Sequence, residues 1–118
     1  TVYEMIVEFS DFSDDFGLKL RTGESSETVI KFDYKEKKLI LDRSRGEQPD
    51  KKPRKVYLGD IEKLDLRIFV DNSSVEVFVN GGKEVFSSRI FPQKNEDGIK
   101  VFSEGNVNIK IEKWEWQD

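Results

Sequence analysis

At 118 residues, with a formal charge of −4 and 37% charged side chains, the chain can bury a core without covalent staples and presents a surface of mixed sign. It contains neither cysteine nor histidine, which excludes disulfides, thiolate metal sites, a cysteine nucleophile and the usual neutral-pH proton carrier. Nothing in the charge balance favours nucleic acid or an anionic membrane, and no apolar run nears the ~20 residues of a spanning helix.

The chain begins inside a strand pattern, with no leader-like segment, as expected of a piece excised from something longer. Tyr3, Met5, Val7 and Phe9 alternate with polar residues, the period of a half-buried strand, and Asp11 to Asp14 reads as a turn. Phe16, Leu18 and Leu20 define a second strand, closed by Thr22 to Ser26. Thr28, Ile30, Phe32 and Tyr34 define a third, and Lys37 to Arg43 a fourth, joined at Lys35-Glu36. Ser44 to Arg54 is the one loop of obvious size, with prolines and charges that keep it at the surface, and Gly59 to Lys63 could add a helical turn.

Leu64, Leu66, Ile68 and Val70 form the apolar face of the next strand, and Val75, Val77 and Val79 that of its successor. Asp71 to Ser74 between them is rich in side chains that hydrogen-bond their own backbone, so the two runs fold about it. That fold sets Val70 opposite Val75, Ile68 opposite Val77 and Leu66 opposite Val79. Asn80-Gly81-Gly82 supplies the positive-φ residues of a second hairpin, which places Glu76 beside Ser87 and diagonal to Arg89. Arg67, Phe69, Glu76, Phe78, Ser87 and Arg89 then share one outward face. Asp97 to Ser103 and Asn106 to Trp116 complete the strands, turning at Glu104-Gly105. Trp114 and Trp116 oppose the apolar parity of Val107, Ile109 and Ile111, so either a bulge near Glu112-Lys113 shifts the phase or the pair faces outward. An outward pair would meet a neighbouring domain or form a sugar platform. The pattern reads as one all-β domain over residues 1–118, an antiparallel β-sandwich of two stacked sheets of jelly-roll or concanavalin-like type, with a barrel as the alternative.

Phe16-Gly17-Leu18-Lys19-Leu20, Asp42-Arg43-Ser44, the run from Asp71 to Gly82 and Ser88-Arg89-Ile90-Phe91-Pro92 carry a resemblance in their order and spacing. From about Thr1 to the strand of Trp114 and Trp116, the chain resembles the C-terminal β-sandwich module of glycoside hydrolase family 32, the invertases, sucrose-6-phosphate hydrolases, levanases and inulinases. The resemblance implies a catalytic five-bladed β-propeller preceding this module, with acidic residues in Asn-Asp-Pro, Arg-Asp-Pro and Glu-Cys motifs. None of these motifs occurs here: the prolines follow Gln48, Lys52 and Phe91, and cysteine is absent. Retaining cleavage needs two carboxyls about 5–5.5 Å apart, one ionised and one protonated, and no motif argues for such a pair.

The expected function is therefore that of a non-catalytic accessory domain of a sucrose or fructan hydrolase, stabilising its propeller or supporting a homo-oligomer. The parent would be cytoplasmic if a sucrose-6-phosphate hydrolase and secreted if a levanase or inulinase. The alternative is a carbohydrate-binding module for terminal fructose of levan or inulin. Related fructan-binding modules grip fructose with an acidic-and-arginine cluster, which by resemblance would comprise Asp42, Arg43, Asp71, Glu76 and Arg89. Each also has a structural reading: Asp42-Arg43 as a salt-bridged strand end, Asp71 as a turn former, Glu76 and Arg89 as a cross-strand ion pair. No cofactor is expected and no residue is singled out as a metal ligand; several acidic residues sit in turns, without the ordered spacing of a calcium loop.

Overall fold

The computed structural model describes residues 2–21, 27–45, 53–71, 74–80, 83–89 and 99–116. All the regular structure among them is strand: β1 (Val2–Ser10), β2 (Phe16–Arg21), β3 (Glu27–Asp33), β4 (Lys38–Arg45), β5 (Arg54–Tyr57), β6 (Lys63–Val70), β7 (Ser74–Val79), β8 (Lys83–Arg89), β9 (Ile99–Ser103) and β10 (Asn108–Trp116). They form two five-stranded antiparallel sheets, ordered β10-β1-β6-β7-β8 and β5-β4-β3-β2-β9. The sandwich expected from the strand pattern is the one observed.

Alternation explains the core. Met5, Val7 and Phe9 of β1, Leu64, Leu66 and Ile68 of β6, and Val75 and Val77 of β7 turn inward from the first sheet. Phe16, Leu18 and Leu20, Ile30 and Phe32, and Leu39 and Leu41 meet them from the second. Each such side chain contributes on the order of 1.5–3 kcal/mol by leaving water. Phe9, Phe12, Phe16 and Phe32 close one end of this core as a chain of tilted rings, with Phe9 and Phe16 centroids 4.5 Å apart.

The hairpin register holds residue for residue: Val70 pairs with Val75, Ile68 with Val77 and Leu66 with Val79. Glu76 pairs with Ser87 as expected, and a bulge between Val77 and Phe78 shifts the pairing only near the turn. Asn80 has a positive φ of 47°, and its side-chain oxygen accepts from the Asp65 N–H at 3.0 Å; Gly81 and Gly82 lie outside the described residues.

Three expectations need correction. Residues 59–63 form no helical turn: Gly59 has a φ of 75°, outside helical space, and Lys63 already begins β6. The segment from Ser44 to Arg54 is not all loop, because β4 runs to Arg45 and Arg54 opens the edge strand β5. No bulge interrupts β10: its pairing with β1 runs without a break from Asn108 opposite Ser10 to Trp116 opposite Val2.

Candidate functional site

Residues directly opposite in an antiparallel pair point to the same side of a sheet, so the registers assign the outer faces. On the first sheet one row runs Trp114, Glu4, Phe69, Glu76, Ser87 across β10, β1, β6, β7 and β8. The next row runs Glu112, Ile6, Arg67, Phe78, and a third Lys110, Glu8, Asp65. Trp114 thus lies on the outward side, where it is 42% exposed; Trp116 ends β10 opposite Val2, its side chain outside the described residues.

The organising contact on this face is an ion pair that the strand pattern alone does not show. Glu4 is 7% exposed, and its carboxylate receives Arg67 Nε at 3.0 Å and Nη2 at 2.7 Å. The guanidinium lies 5.3 Å from the Phe69 ring centroid, and Phe69 meets Phe78 edge-on at 5.6 Å. A charge-assisted pair of this geometry holds Arg67 in one rotamer, so the rings beside it keep a defined shape. Ile6, Glu8, Asp65, Arg67, Phe69 and Phe78 line a groove of about 550 Å³. Glu8 receives Lys63 Nζ at 3.3 Å, whereas Asp65 Oδ1 is buried without a hydrogen-bond partner among the described residues.

The outer face of the second sheet has a different chemistry. Lys19, Lys31, Lys38, Lys55 and Lys100 project from it, among Asp33 and Asp42 and the apolar Val29 and Ile40. Lys31 pairs with Asp15 at 3.2 Å, and Lys19 stands 5.7 Å from the Phe102 ring centroid.

The five residues singled out as a fructose-gripping cluster fall on this frame as follows. Asp42 lies in β4 opposite Val29, on the outer face of the second sheet, whereas Glu76 lies in β7 on the outer face of the first. The core separates these two faces, so Asp42 and Glu76 do not share one. Asp71 is exposed at the end of β6, and both aspartates engage neighbouring groups. Arg43 belongs to β4 and Arg89 to β8, opposite Ser74, with side chains outside the described residues. The strand directions bring the ends of β4, β6 and β8 and the start of β7 to one end of the sandwich. The cluster is thus gathered by end and divided by face.

Pattern reasoning put Arg67, Phe69 and Phe78 on the charged face but missed Glu4, Glu8 and Asp65 as its other members. Asp65 shares the strand and parity of Arg67 and was legible; that β1 pairs with β6, which sets Glu4 and Glu8 beside it, was not. Among the described residues no group of three or more acidic side chains is arranged to hold a metal ion.

The model of the family described as glycosyl hydrolases family 32 C terminal matches residues 1–115. The chain is 36% identical over 122 residues to a levanase of Bacillus subtilis (strain 168), an alignment covering 92% of this chain and 18% of that protein. It is 35% identical over 119 residues to a sucrose-6-phosphate hydrolase of Staphylococcus xylosus, covering 96% of this chain and 24% of that one. The solved structure of a sucrose-6-phosphate hydrolase from Lactobacillus gasseri matches with a TM-score of 0.75 and 29% identity, over 93% of this chain and 24% of that one. The chain spans about a quarter or less of the length of these relatives.

Proposed function

The chain belongs to the C-terminal domains of glycosyl hydrolase family 32, and from that premise we propose that it is the non-catalytic accessory domain of a hydrolase acting on sucrose, sucrose phosphate or fructan. The observation that carries the proposal is the contrast between its two outer faces. The first presents Trp114, Ile6, Phe69 and Phe78 around a braced arginine; on the second, Val29, Ile40, Tyr57 and Phe102 stand among five lysines. Aromatic side chains on one sheet face, rimmed by charge, are what a domain contact buries, and a lysine-rich face is suited to water. In this reading the first sheet covers the catalytic propeller of the parent and stabilises it, with a homo-oligomer as a further use of the same surface. The absent Asp-Pro and Glu-Cys motifs support a chain without its own chemistry.

Assays for fructose release from sucrose and levan by the chain alone are expected to show no turnover, and sustained turnover would overturn the reading. Trp114→Ser is expected to leave the fold intact and to weaken association with a separately produced catalytic region of the parent. Unchanged association would move the contact to another face.

A second reading is favoured by one observation: Glu76 stands directly opposite Phe69, a carboxylate beside an aromatic ring on an accessible sheet face. A sugar could stack on the ring and donate hydroxyls to the carboxylate, with Asp71 and Arg89 at the same end of the sandwich. Asp42 and Arg43 would serve only a separate contact on the other sheet. Calorimetric titration with fructose, levan and inulin, using Glu76→Ala and Asp42→Ala, tests this: heat lost only in Glu76→Ala supports it. Silence with every sugar leaves the accessory role alone.

A further inference from the structure

We infer that β10 is the edge through which two copies of this chain pair, antiparallel and centred on Ile111, so that their first sheets run on as one. The contact lies in the plane of the sheet and leaves its outer face free. It stands whether or not that face covers a catalytic propeller.

Four strands end the two sheets: β10 and β8 the first, β5 and β9 the second. β10 is the longest at nine residues, against seven in β8, five in β9 and four in β5. One side of it pairs with β1 along its whole length, and the other has no strand partner among the described residues. A free edge offers a row of backbone donors and acceptors, which proteins guard by keeping the edge short, bulged, lysine-rich or broken by proline. β10 is long, unbulged and free of proline, and its Lys113 is neutralised by Glu115 at 3.2 Å.

The sandwich is open beside this edge. Ile111 stands opposite Val7, on the core side, yet it is 44% exposed. In the other sheet Val101 stands opposite Leu18, also on the core side, and is 37% exposed. Val7 and Leu18, one strand further in, are fully buried. β9 and β10 are consecutive edge strands joined only by residues 104–107, so Val101 and Ile111 border the same opening. A strand added beyond β10 would cover Ile111 as β10 covers its neighbours in β1.

The order of charges along β10 points to a second copy as that strand. In a two-fold antiparallel pair outward residues oppose outward ones, so the register follows from the residue on the axis. With Ile111 there, it meets its own copy on the core side. Lys110 of each chain then opposes Glu112 of the other on the outer side, twice over, and residues 108 to 114 pair. An axis on Lys110, Glu112 or Lys113 instead sets like charges face to face. An axis on Trp114 opposes Lys113 and Glu115, but only residues 112 to 116 pair and Ile111 stays open.

Such a pair closes at two copies, and an edge contact is small among specific interfaces, so the association is expected to be weak. Sedimentation equilibrium of the chain up to about 1 mM reads dissociation constants of that order. The mass is expected to rise with concentration from 13.8 kDa towards twice that value. Lys110 and Glu112 are exposed, so Lys110→Glu and Glu112→Lys should both fold, as circular dichroism would verify. Each should raise the dissociation constant about ten-fold or more, because both cross-pairs become repulsive. An equimolar mixture of the two variants should associate again, since unlike charges then face each other at both pairs. Ile111→Thr keeps a β-branched side chain and should also weaken association. A monomer at every concentration, association unmoved by the charge reversals or by Ile111→Thr, or a mixture that stays monomeric would overturn the inference. Growth beyond two copies would overturn it as well. Failure of the accessory reading would appear instead as turnover by the chain or as unchanged association of Trp114→Ser with the catalytic region.

Discussion

Gly17 sits on the outer face of the second sheet beneath the Phe102 ring, with the β3 backbone hard against it. A Cβ there would stand 2.1 Å from the Ile30 carbonyl oxygen and 2.8 Å from Phe102 Cζ. Backbone cannot swing aside as a flexible side chain can, so Gly17→Ala must push β2 and β3 apart. The expected cost is about 2 kcal/mol or more, read as a lower urea midpoint. Adding Phe102→Ala should not restore it, because the carbonyl stays in place. The Glu4–Arg67 pair gives a second, asymmetric expectation. Arg67→Met strands a carboxylate that is 7% exposed, whereas Glu4→Gln leaves a guanidinium whose side chain is 56% exposed and can turn to water. The arginine variant should lose about 1–3 kcal/mol and the glutamate variant less, measured by denaturant unfolding at neutral pH. Equal losses would mean that the attraction within the pair, rather than the stranded charge, sets the cost.

Among the elements, the β6–β7 hairpin was the most legible because everything that defines it is local. Two apolar runs of matching parity flank a turn of self-bonding residues, and a one-residue slip would turn Val75, Val77 and Val79 out of the core. The strand β5 was not legible, for the converse reason. Arg54, Lys55 and Tyr57 are exposed and only Val56 packs partly against the core, so the segment has no strong alternation to read. It owes its extended form to pairing with β4 at the sheet edge. Short, charged edge strands of this kind resist pairing with other molecules and hold few apolar contacts. Hydrogen exchange should therefore find the amides of β5 opening locally and early, while those of β1 and β6 exchange only through global unfolding. Equal protection of β5 and β6 would contradict this view of the edge. The mistaken helical turn after Gly59 has a related origin: a short polar stretch carries no period, and Gly59 with its φ of 75° makes a bend.

At the scale of the molecule, the inward faces of both sheets contribute to one buried cluster that runs from Tyr3 to Val79. Neither sheet can keep its apolar side dry alone, so the chain should unfold in a single cooperative transition, with far-UV and near-UV circular dichroism coincident. Separate transitions would show that the sheets are independently stable. Alternation and turn chemistry act between near neighbours, and so the sequence by itself determined the strands of the sandwich other than β5, their inward faces and the hairpin register, while the unbroken pairing of β10 with β1 decided against a bulge before the tryptophans. The absence of family 32 catalytic motifs was legible in the same way. Which strands lie side by side depends on contacts between distant parts of the chain, as in the 63-residue separation between Glu4 and Arg67. Periodicity is silent about those contacts, because every amphipathic strand offers the same kind of face to every other. Only the tertiary structure, by seating β1 between β6 and β10, assembled the aromatic outer face and its groove. The same packing put Asp42 and Glu76 on opposite sides of the core.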